Sequence, residues 1–215
     1  MEKLRSYLIL PAFVMALLLL GGCTSKSARF YTLNPVLPSA SSGKLQSALL
    51  SDPPSVIGIV SVEIPDYLDR PQIVTRNENN ELKLAEFDRW GGELQKDIAR
   101  VLAETMSAVL PGRNVFVLTG RRAMLADYRI TVQVTRFDPM PDNVIWLNAI
   151  WAVHKKDDTS VAVRGESTLT EPIKGSGYEA TVAAMSRTID KLGAEIAGAM
   201  KPVLTEVALS NGRAG

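Results

Sequence analysis

The residue whose chemistry is easiest to specify is Cys23, the only cysteine among the 215 residues of the chain. It directly follows Leu20-Gly21-Gly22, at the end of an apolar run that begins at Tyr7 after a basic start. A basic start, a short apolar stretch and small residues before a cleavage point are the three parts of a secretory signal peptide. The sequence therefore predicts cleavage between Gly22 and Cys23, so that the mature chain begins with a thiol.

Leu20-Gly21-Gly22-Cys23 resembles the bacterial lipobox, in which the cysteine sulfur receives a diacylglycerol and the new amino terminus is acylated. One acyl chain binds a bilayer only marginally, at about 0.8 kcal/mol per buried methylene, whereas three chains give a stable anchor. The alternative is an uncleaved transmembrane segment. It is disfavoured because the apolar run contains Pro11 and is shorter than the roughly 20 residues that span a bilayer.

The residue after the cysteine indicates whether the lipoprotein stays in the inner membrane or moves to the outer membrane. Asp at this position is the usual signal for retention in the inner membrane of Gram-negative bacteria, and Thr24 stands here instead. The sequence therefore predicts a lipid anchor in the outer membrane, with the domain on its periplasmic face.

Side chains that could support catalysis or metal binding are few. A histidine base needs a nucleophile and an orienting acid, and the only histidine, His154, is followed by two lysines. Gly175-Ser176-Gly177 lacks the spacing of a nucleophile elbow, one histidine and one lipidated cysteine exclude zinc sites, and no glycine-rich phosphate motif is present. We expect a non-enzymatic protein with no metal and no cofactor, apart from the covalent N-acyl and S-diacylglycerol groups on Cys23.

The charge balance also limits the choice of partner. The chain has 24 Lys and Arg and 23 Asp and Glu, and loss of Lys3, Arg5 and Glu2 with the signal peptide leaves 22 of each. A neutral mature chain offers no basic surface for nucleic acid. Because the only cysteine is expected to carry lipid, no disulfide is expected, and stability must come from packing.

Composition divides the chain into four segments. These are a signal peptide over 1–22, a lipidated N-terminus with a Pro/Ser/Ala-rich tether over 23–55, a folded domain over 56–204 and a disordered tail over 205–215. A flexible tether of that length has an end-to-end distance of roughly 30 Å, so the domain is expected to stand clear of the membrane.

Within the domain, the spacing of apolar residues predicts both strands and helices. Alternation indicates strands, and spacings of three and four indicate helices. The predicted elements are a buried strand over 56–62, a hairpin over 72–84, a helix that follows Trp90, has its apolar stripe from Leu94 to Val109 and stops at Pro111, a short strand over 115–118, three antiparallel strands from Tyr128 to Leu169, and a helix from Tyr178 to Pro202. The predicted fold class is α/β, with two long helices packed on a mixed, partly antiparallel sheet.

Two tryptophans fall on the same predicted strand. Trp146 and Trp151 are an odd number of residues apart, which places one on each face. A strand with a tryptophan on each face is expected to be covered on both, by helices on one side and by further structure or a partner subunit on the other.

Several segments resemble a known family. They are the lipobox, Phe30-Tyr31-Thr32-Leu33, the stretch VEIPDYLDRPQIV from Val62 to Val74, Glu86-Phe87-Asp88-Arg89-Trp90, the strand from Tyr128 to Phe137, and the stretch from Tyr178 to Met185. Their order and spacing are similar to those of the ABC-type transport auxiliary lipoproteins, the PqiC/YmbA-like group. The resemblance covers nearly the whole mature chain, and it implies a sandwich related to anticodon-binding-like folds.

The resemblance also implies a function. Members of this group are non-catalytic components of intermembrane lipid transport and accompany MCE-domain proteins, an inner-membrane permease and often an ATPase. The group has no catalytic motif, so only Cys23 is carried over with a role. Tyr67, Leu68, Arg70 and Trp90 are predicted as partner-binding positions, with core packing as the alternative, and a second copy of the chain is a further candidate partner.

Two other classes of protein remain open. An envelope-scaffold or assembly lipoprotein needs only an anchor and a binding surface, and gene neighbours that encode MCE and permease proteins would separate it from the transport role. A periplasmic lipoprotein hydrolase is the less favoured class, since it would need a nucleophile and base, of which His154 is the best candidate.

Overall fold

The computed structural model describes residues 27–36, 56–110, 113–156 and 161–211. The predicted signal peptide, the cleavage site at Gly22 and Cys23, and most of the predicted tether lie outside these ranges. The elements in chain order are β1 (Arg29–Tyr31), β2 (Val56–Glu63), β3 (Gln72–Arg76), β4 (Leu82–Trp90), α1 (Leu94–Val109), β5 (Asn114–Val117), a 3₁₀ turn (Gly120–Leu125), β6 (Tyr128–Pro139), β7 (Val144–Lys155), β8 (Val161–Pro172) and α2 (Gly177–Asn211).

Five strands form the larger sheet, in the order β5-β2-β6-β7-β8. β2 runs parallel to both β5 and β6, whereas β6, β7 and β8 are antiparallel neighbours, as their alternating sequences predict. On β7 the alternation is strict, with Ile145, Leu147, Ala149, Trp151 and Val153 buried. One face of the sheet is therefore apolar and requires cover.

The two helices supply this cover. α1 buries Leu94, Ile98, Leu102 and Met106, and α2 buries a stripe that includes Met185, Ile189, Leu192 and Ile196. These spacings of three and four place each set on one side of its helix. The helices pack on each other and on the apolar face of the larger sheet. The predicted mixed α/β class with two long helices is confirmed.

A second sheet of three strands, in the order β1-β4-β3, lies at one end of the domain. β3 and β4 form the predicted hairpin, and Asn80 at its turn has a positive φ of 62°. β4 extends to Trp90, which is only 4% exposed. The predicted apolar stripe from Leu94 to Val109 coincides with α1, and Trp90 packs in the core as the last residue of the strand before it.

The C-terminal helix is longer than the sequence predicts. We expected α2 to end near Pro202 and a disordered tail to begin at residue 205, but the helix continues to Asn211. A proline inside a helix removes one backbone hydrogen bond and usually kinks or ends it. Pro202 lies on the exposed side of α2, where water can bind the freed carbonyl of Gly198, and Leu204 is buried one turn further on.

The folded domain also includes part of the segment assigned to the lipidated N-terminus and tether. β1 pairs in parallel with the end of β4, so that Arg29 lies opposite Asp88 and Tyr31 opposite Trp90. The backbone N–H of Gly91 continues this contact by donating to the Tyr31 carbonyl, at 2.7 Å. Leu33, just after β1, is completely buried.

Candidate partner-binding surface

The β2–β3 loop, residues 64–71, carries three of the four residues predicted to bind a partner. Backbone hydrogen bonds fold it tightly: the N–H of Leu68 donates to the Pro65 carbonyl (2.9 Å), and the N–H of Arg70 donates to the Leu68 carbonyl (2.8 Å). Leu68 is 2% exposed and anchors the loop in the core. At the other end of the loop, the Trp90 N–H donates to the Pro71 carbonyl at 2.7 Å.

A buried carboxylate lies next to this loop. Asp138, near the end of β6, is 0% exposed. Its Oδ2 accepts a hydrogen bond from Arg76 Nε, and its Oδ1 accepts one from Arg136 Nε, both at 2.8 Å. Charge-assisted hydrogen bonds of this kind are about twice as strong as neutral ones. Asp138 therefore links β3 to β6 and joins the two sheets.

Each of these arginines also lies over an aromatic ring. The Arg76 guanidinium is 5.3 Å from the centre of the Tyr67 ring, and that of Arg136 is 5.3 Å from the centre of the Trp146 ring. Both distances are within the range of a cation–π interaction. We call these five residues the Asp138 cluster: Tyr67, Arg76, Arg136, Asp138 and Trp146.

The protonation states of Tyr67 and Arg76 favour their hydrogen bonds to Asp138. Burial raises the pKa of the Tyr67 phenol, and the negative charge of Asp138 raises it further. Burial alone would lower the pKa of Arg76, but the hydrogen bond and charge of Asp138, together with the contact with Tyr67, outweigh this, and the net pKa is raised. The phenol therefore stays protonated, its hydroxyl donates to Asp138 Oδ2 at 3.3 Å, and Arg76 stays charged.

The structure separates the four predicted contact residues. Leu68 and Trp90 are 2% and 4% exposed, so they pack in the core and are unavailable to a partner in the folded domain. For these two the contact prediction is corrected, because the loop is attached through them. Tyr67 is half-buried in the Asp138 cluster, and Arg70 is exposed at the tip of the loop together with Asp66, Asp69 and Pro71.

The two tryptophans of β7 lie on opposite faces of the sheet, as predicted. Trp151 is 4% exposed on the helix side, where its Nε1 donates to Ser167 Oγ at 2.9 Å. Trp146 is covered by Arg136 from the neighbouring strand. Further along the same face, Ile150 is 48% exposed. The Arg136 guanidinium lies over Trp146, and cover of this second face by a partner subunit stays a prediction.

A shallow cleft adjoins the Asp138 cluster. Its volume is about 480 Å³, and residues from the β3–β4 hairpin, the β6–β7 connection and the start of α2 line it, among them Arg76, Asn77, Lys83 and Asn143. A pocket that encloses an acyl chain would be mostly apolar and closed. This open and polar cleft does not have those properties.

Sequence reasoning did not identify the charged members of the Asp138 cluster. Along β6 the buried residues alternate up to Val134, and the next one is Phe137, three positions later. The odd spacing reflects a bulge between Val134 and Arg136, which turns Arg136 and Asp138 to the face opposite the helices. The break in alternation was the available signal, but the partner on β3 depends on tertiary structure.

Within the described ranges, no group of three or more His, Cys, Asp or Glu side chains is arranged to hold a metal ion. The described part of the chain also contains no helix of the length and apolar character needed to span a membrane.

Comparison with known proteins identifies similar sequences and folds. A model of the family described as the ABC-type transport auxiliary lipoprotein component matches residues 31–197. A crystal structure of an uncharacterized protein is 17% identical with a TM-score of 0.64, and the alignment covers 80% of this chain and 97% of the other. A Xanthomonas campestris protein of the DUF330 family is 15% identical with a TM-score of 0.56, covering 88% of this chain and 97% of the other. At these identities the two structures show a shared fold alone. No curated protein matches the chain.

Proposed function

The chain belongs to the ABC-type transport auxiliary lipoprotein family, and from this premise we propose that it is a periplasmic lipoprotein anchored in the outer membrane. We further propose that it acts as a non-catalytic component of an MCE/ABC-type intermembrane lipid transport system. The observation that carries the proposal is the family match over residues 31–197, preceded within a few residues by the lipobox cysteine.

The chemistry of the Asp138 cluster supports a non-catalytic role. Both carboxylate oxygens of Asp138 already accept hydrogen bonds from arginines, and the Tyr67 phenol is kept protonated. A general acid or base needs a pKa near the working pH and access to a substrate proton. Because Asp138 is fully buried with both oxygens occupied and the Tyr67 phenol stays protonated, the cluster fits the task of holding the β2–β3 loop in one conformation.

The exposed tip of the β2–β3 loop is the proposed contact with the MCE-domain protein. Arg70 and its exposed neighbours project from a loop fixed by Leu68, by Pro71 and by the Asp138 cluster. A preordered loop loses little conformational entropy on binding, and arginine is enriched among residues that dominate interface energies. The permease and ATPase would be reached indirectly, through this partner.

Anchoring is tested at Cys23. The Cys23→Ser variant should no longer incorporate labelled palmitate and should move to the soluble periplasmic fraction, because no acyl acceptor remains. The parent protein should fractionate with the outer membrane, and Thr24→Asp should shift it to the inner membrane. Equal palmitate labelling of the Cys23→Ser variant would disprove the anchor, and a parent protein found in the inner membrane would disprove its location.

The partner contact is tested at Arg70. Truncation of an interface hot spot typically costs about 2 kcal/mol or more, which is a loss of affinity of roughly 30-fold. Arg70→Ala should therefore weaken co-purification with the MCE-domain protein. The matched control is Arg122→Ala, an exposed arginine on the 3₁₀ turn. Equal binding by both variants, with circular dichroism unchanged, would exclude the loop as the contact.

A further inference from the structure

The N-terminal segment that follows the proposed anchor is fixed to the domain at its first described residues. Arg29 Nε lies 2.8 Å from Asp88 Oδ1, and the Tyr31 hydroxyl donates to the same oxygen at 3.0 Å. The β-bridges between β1 and β4 add backbone pairing. The chain is therefore held at β1.

After β1 the segment runs across both helices, with its backbone N–H groups bonded to helix side chains. The N–H of Leu33 donates to Asp97 Oδ2 of α1 (3.2 Å). Those of Asn34 and Val36 donate to Ser186 Oγ (3.1 Å) and Asp190 Oδ2 (2.6 Å) of α2. We call residues 32–36 the strap. The strap contacts Ser186 first and Asp190 second, so it runs along α2 away from the beginning of that helix. β1, which precedes the strap, therefore lies near the beginning of α2.

The attachment at β1 shortens the connection to the membrane. Only six peptide units separate Cys23 from Arg29, and a fully extended chain of that length spans at most about 20 Å. The flexible tether of roughly 30 Å expected from the sequence is the Pro/Ser/Ala-rich stretch from Pro35 to Pro54, which comes after β1 in the chain. Residues 37–55 follow the strap, so they connect it to β2 and do not add to the reach of the anchor.

The two ends of the domain differ in their distance from this attachment. α2 starts five residues after β8 ends, so the start of α2, the end of β8 and the end of β6 share one end of the domain. The start of β6 and the 3₁₀ turn before it lie at the opposite end. A strand of the length of β6 spans roughly 36 Å at 3.3 Å per residue. The membrane-tethered end and the 3₁₀ turn are therefore separated by most of the length of the domain.

The tethered end also presents an apolar side chain. Phe30, in the middle of β1, is 66% exposed. The charge of its neighbour Arg29 is balanced by Asp88. An aromatic side chain held within about 20 Å of acyl chains can bury its ring in the headgroup region, as apolar residues of peripheral proteins do.

We propose that the β1 end of the domain lies against the membrane that holds the lipid anchor, with Phe30 in the headgroup region and the 3₁₀ turn directed away from it. This rests on the proposed lipidation of Cys23. It goes further by assigning a lipid-contacting surface to one end of the domain, which fixes the orientation of the whole domain relative to the membrane.

The orientation can be measured with a fluorescent probe on an introduced cysteine, because the only native cysteine carries lipid. The sites are Glu179→Cys, exposed in the first turn of α2 within range of the charge of Arg29, and Met124→Cys, 71% exposed on the 3₁₀ turn. The lipidated full-length protein is placed in vesicles of phosphatidylethanolamine and phosphatidylglycerol that carry a headgroup spin label. Quenching should remove most of the fluorescence at position 179 and leave that at position 124 unchanged.

Two further variants separate the tether from the side chain. Phe30→Ser in the Glu179→Cys background should reduce quenching, since the apolar contact is lost. Insertion of about twelve Gly and Ser residues between Cys23 and Ala28 raises the maximum reach to about 60 Å and should reduce quenching as well.

Flotation of the vesicles distinguishes the two possible failures. Protein that does not float with the vesicles would remove the proposed anchor, and this inference with it. Protein that floats but is quenched equally at both positions, or is not quenched at position 179, would overturn the orientation and leave the anchor intact. Quenching that persists in the Phe30→Ser variant would overturn the placement of that ring.

Discussion

Two acidic side chains near the same end of the larger sheet each bind two cations, but they face opposite sides of it. Asp138 lies opposite Trp146 on the face away from the helices, and Glu171 lies opposite Ile145 on the helix face. Glu171 Oε1 is 2.6 Å from Arg187 Nε, and its Oε2 is 2.6 Å from Lys191 Nζ. Both cations of Glu171 come from α2, whereas those of Asp138 come from β3 and β6.

The difference lies in what each acid connects and how well its partners are buried. The Arg76 and Arg136 side chains are 19% and 25% exposed and each lies over an aromatic ring. Lys191 is 49% exposed, so water screens part of its attraction to Glu171. The Asp138 cluster therefore holds the smaller sheet and the β2–β3 loop against the larger sheet. Glu171 instead binds α2, which apolar packing already holds on the larger sheet.

The largest loss in the free energy of unfolding is expected from Asp138→Ala. It leaves two partly buried guanidinium groups without their carboxylate, and breaking a buried ion pair in this way typically costs about 3 to 5 kcal/mol. Urea unfolding followed by circular dichroism measures the loss. The control is Asp138→Asn, which keeps the shape and one acceptor oxygen and should lose less. A loss below about 1 kcal/mol for the alanine variant would show that the cluster does not join the sheets.

A smaller loss in the free energy of unfolding is expected from Glu171→Gln. The amide keeps one acceptor but loses the charge-assisted character of both bonds, which corresponds to about 2 kcal/mol for hydrogen bonds to a charged group. The variant should retain partner binding, because the β2–β3 loop is on the other face. A loss equal to that of Asp138→Ala would remove the distinction between the two sites.

The pH dependence of Glu171 gives a sharper form of this prediction. Burial alone would raise the pKa of Glu171, but the hydrogen bonds from Lys191 and Arg187 outweigh it, and the net pKa is lowered below the ordinary value. A carboxyl with a lowered pKa in the folded state adds stability that is complete above its unfolded pKa, near 4.5, and is lost as the pH falls through the folded value. The stability difference between the parent and Glu171→Gln should therefore shrink below about pH 4.5.

The apolar pattern of the sequence predicts most of the fold. Alternation identified β6 and β7, and spacings of three and four identified both helices, because these patterns follow directly from burial on one face. Pro202 misled the prediction, because the cost of a proline in a helix depends on whether water reaches the carbonyl that it frees.

The candidate site was predictable only in part. The VEIPDYLDRPQIV stretch directed attention to the correct loop, and Arg70 is exposed as a contact residue should be. Whether Leu68 points inward or outward in a loop has no periodic signal, and Asp138 finds Arg76 only through the packing of two sheets. The strap was not predicted because it has no apolar pattern of its own. Its backbone is held by side chains that are far away in sequence.

The smallest of these effects, and the most specific to the Asp138 cluster, is expected from Tyr67→Phe. The ring under Arg76 is kept and only the hydroxyl bond to Asp138 is lost, which at 3.3 Å is long and should contribute no more than about 1 kcal/mol. Because burial and then the charge of Asp138 raise the pKa of Tyr67 above its ordinary value, this residue adds stability that is complete below about pH 10 and is lost as the pH rises through the folded value. Burial also raises the pKa of Tyr128 and Tyr178, which titrate in both proteins, so the difference between the unfolding curves of parent and variant isolates Tyr67. That difference should fall as the pH is raised above 10. A difference that stays constant would mean that the Tyr67 phenol ionises as freely in the folded domain as in the unfolded chain, and that the loop is not closed over Asp138 in solution.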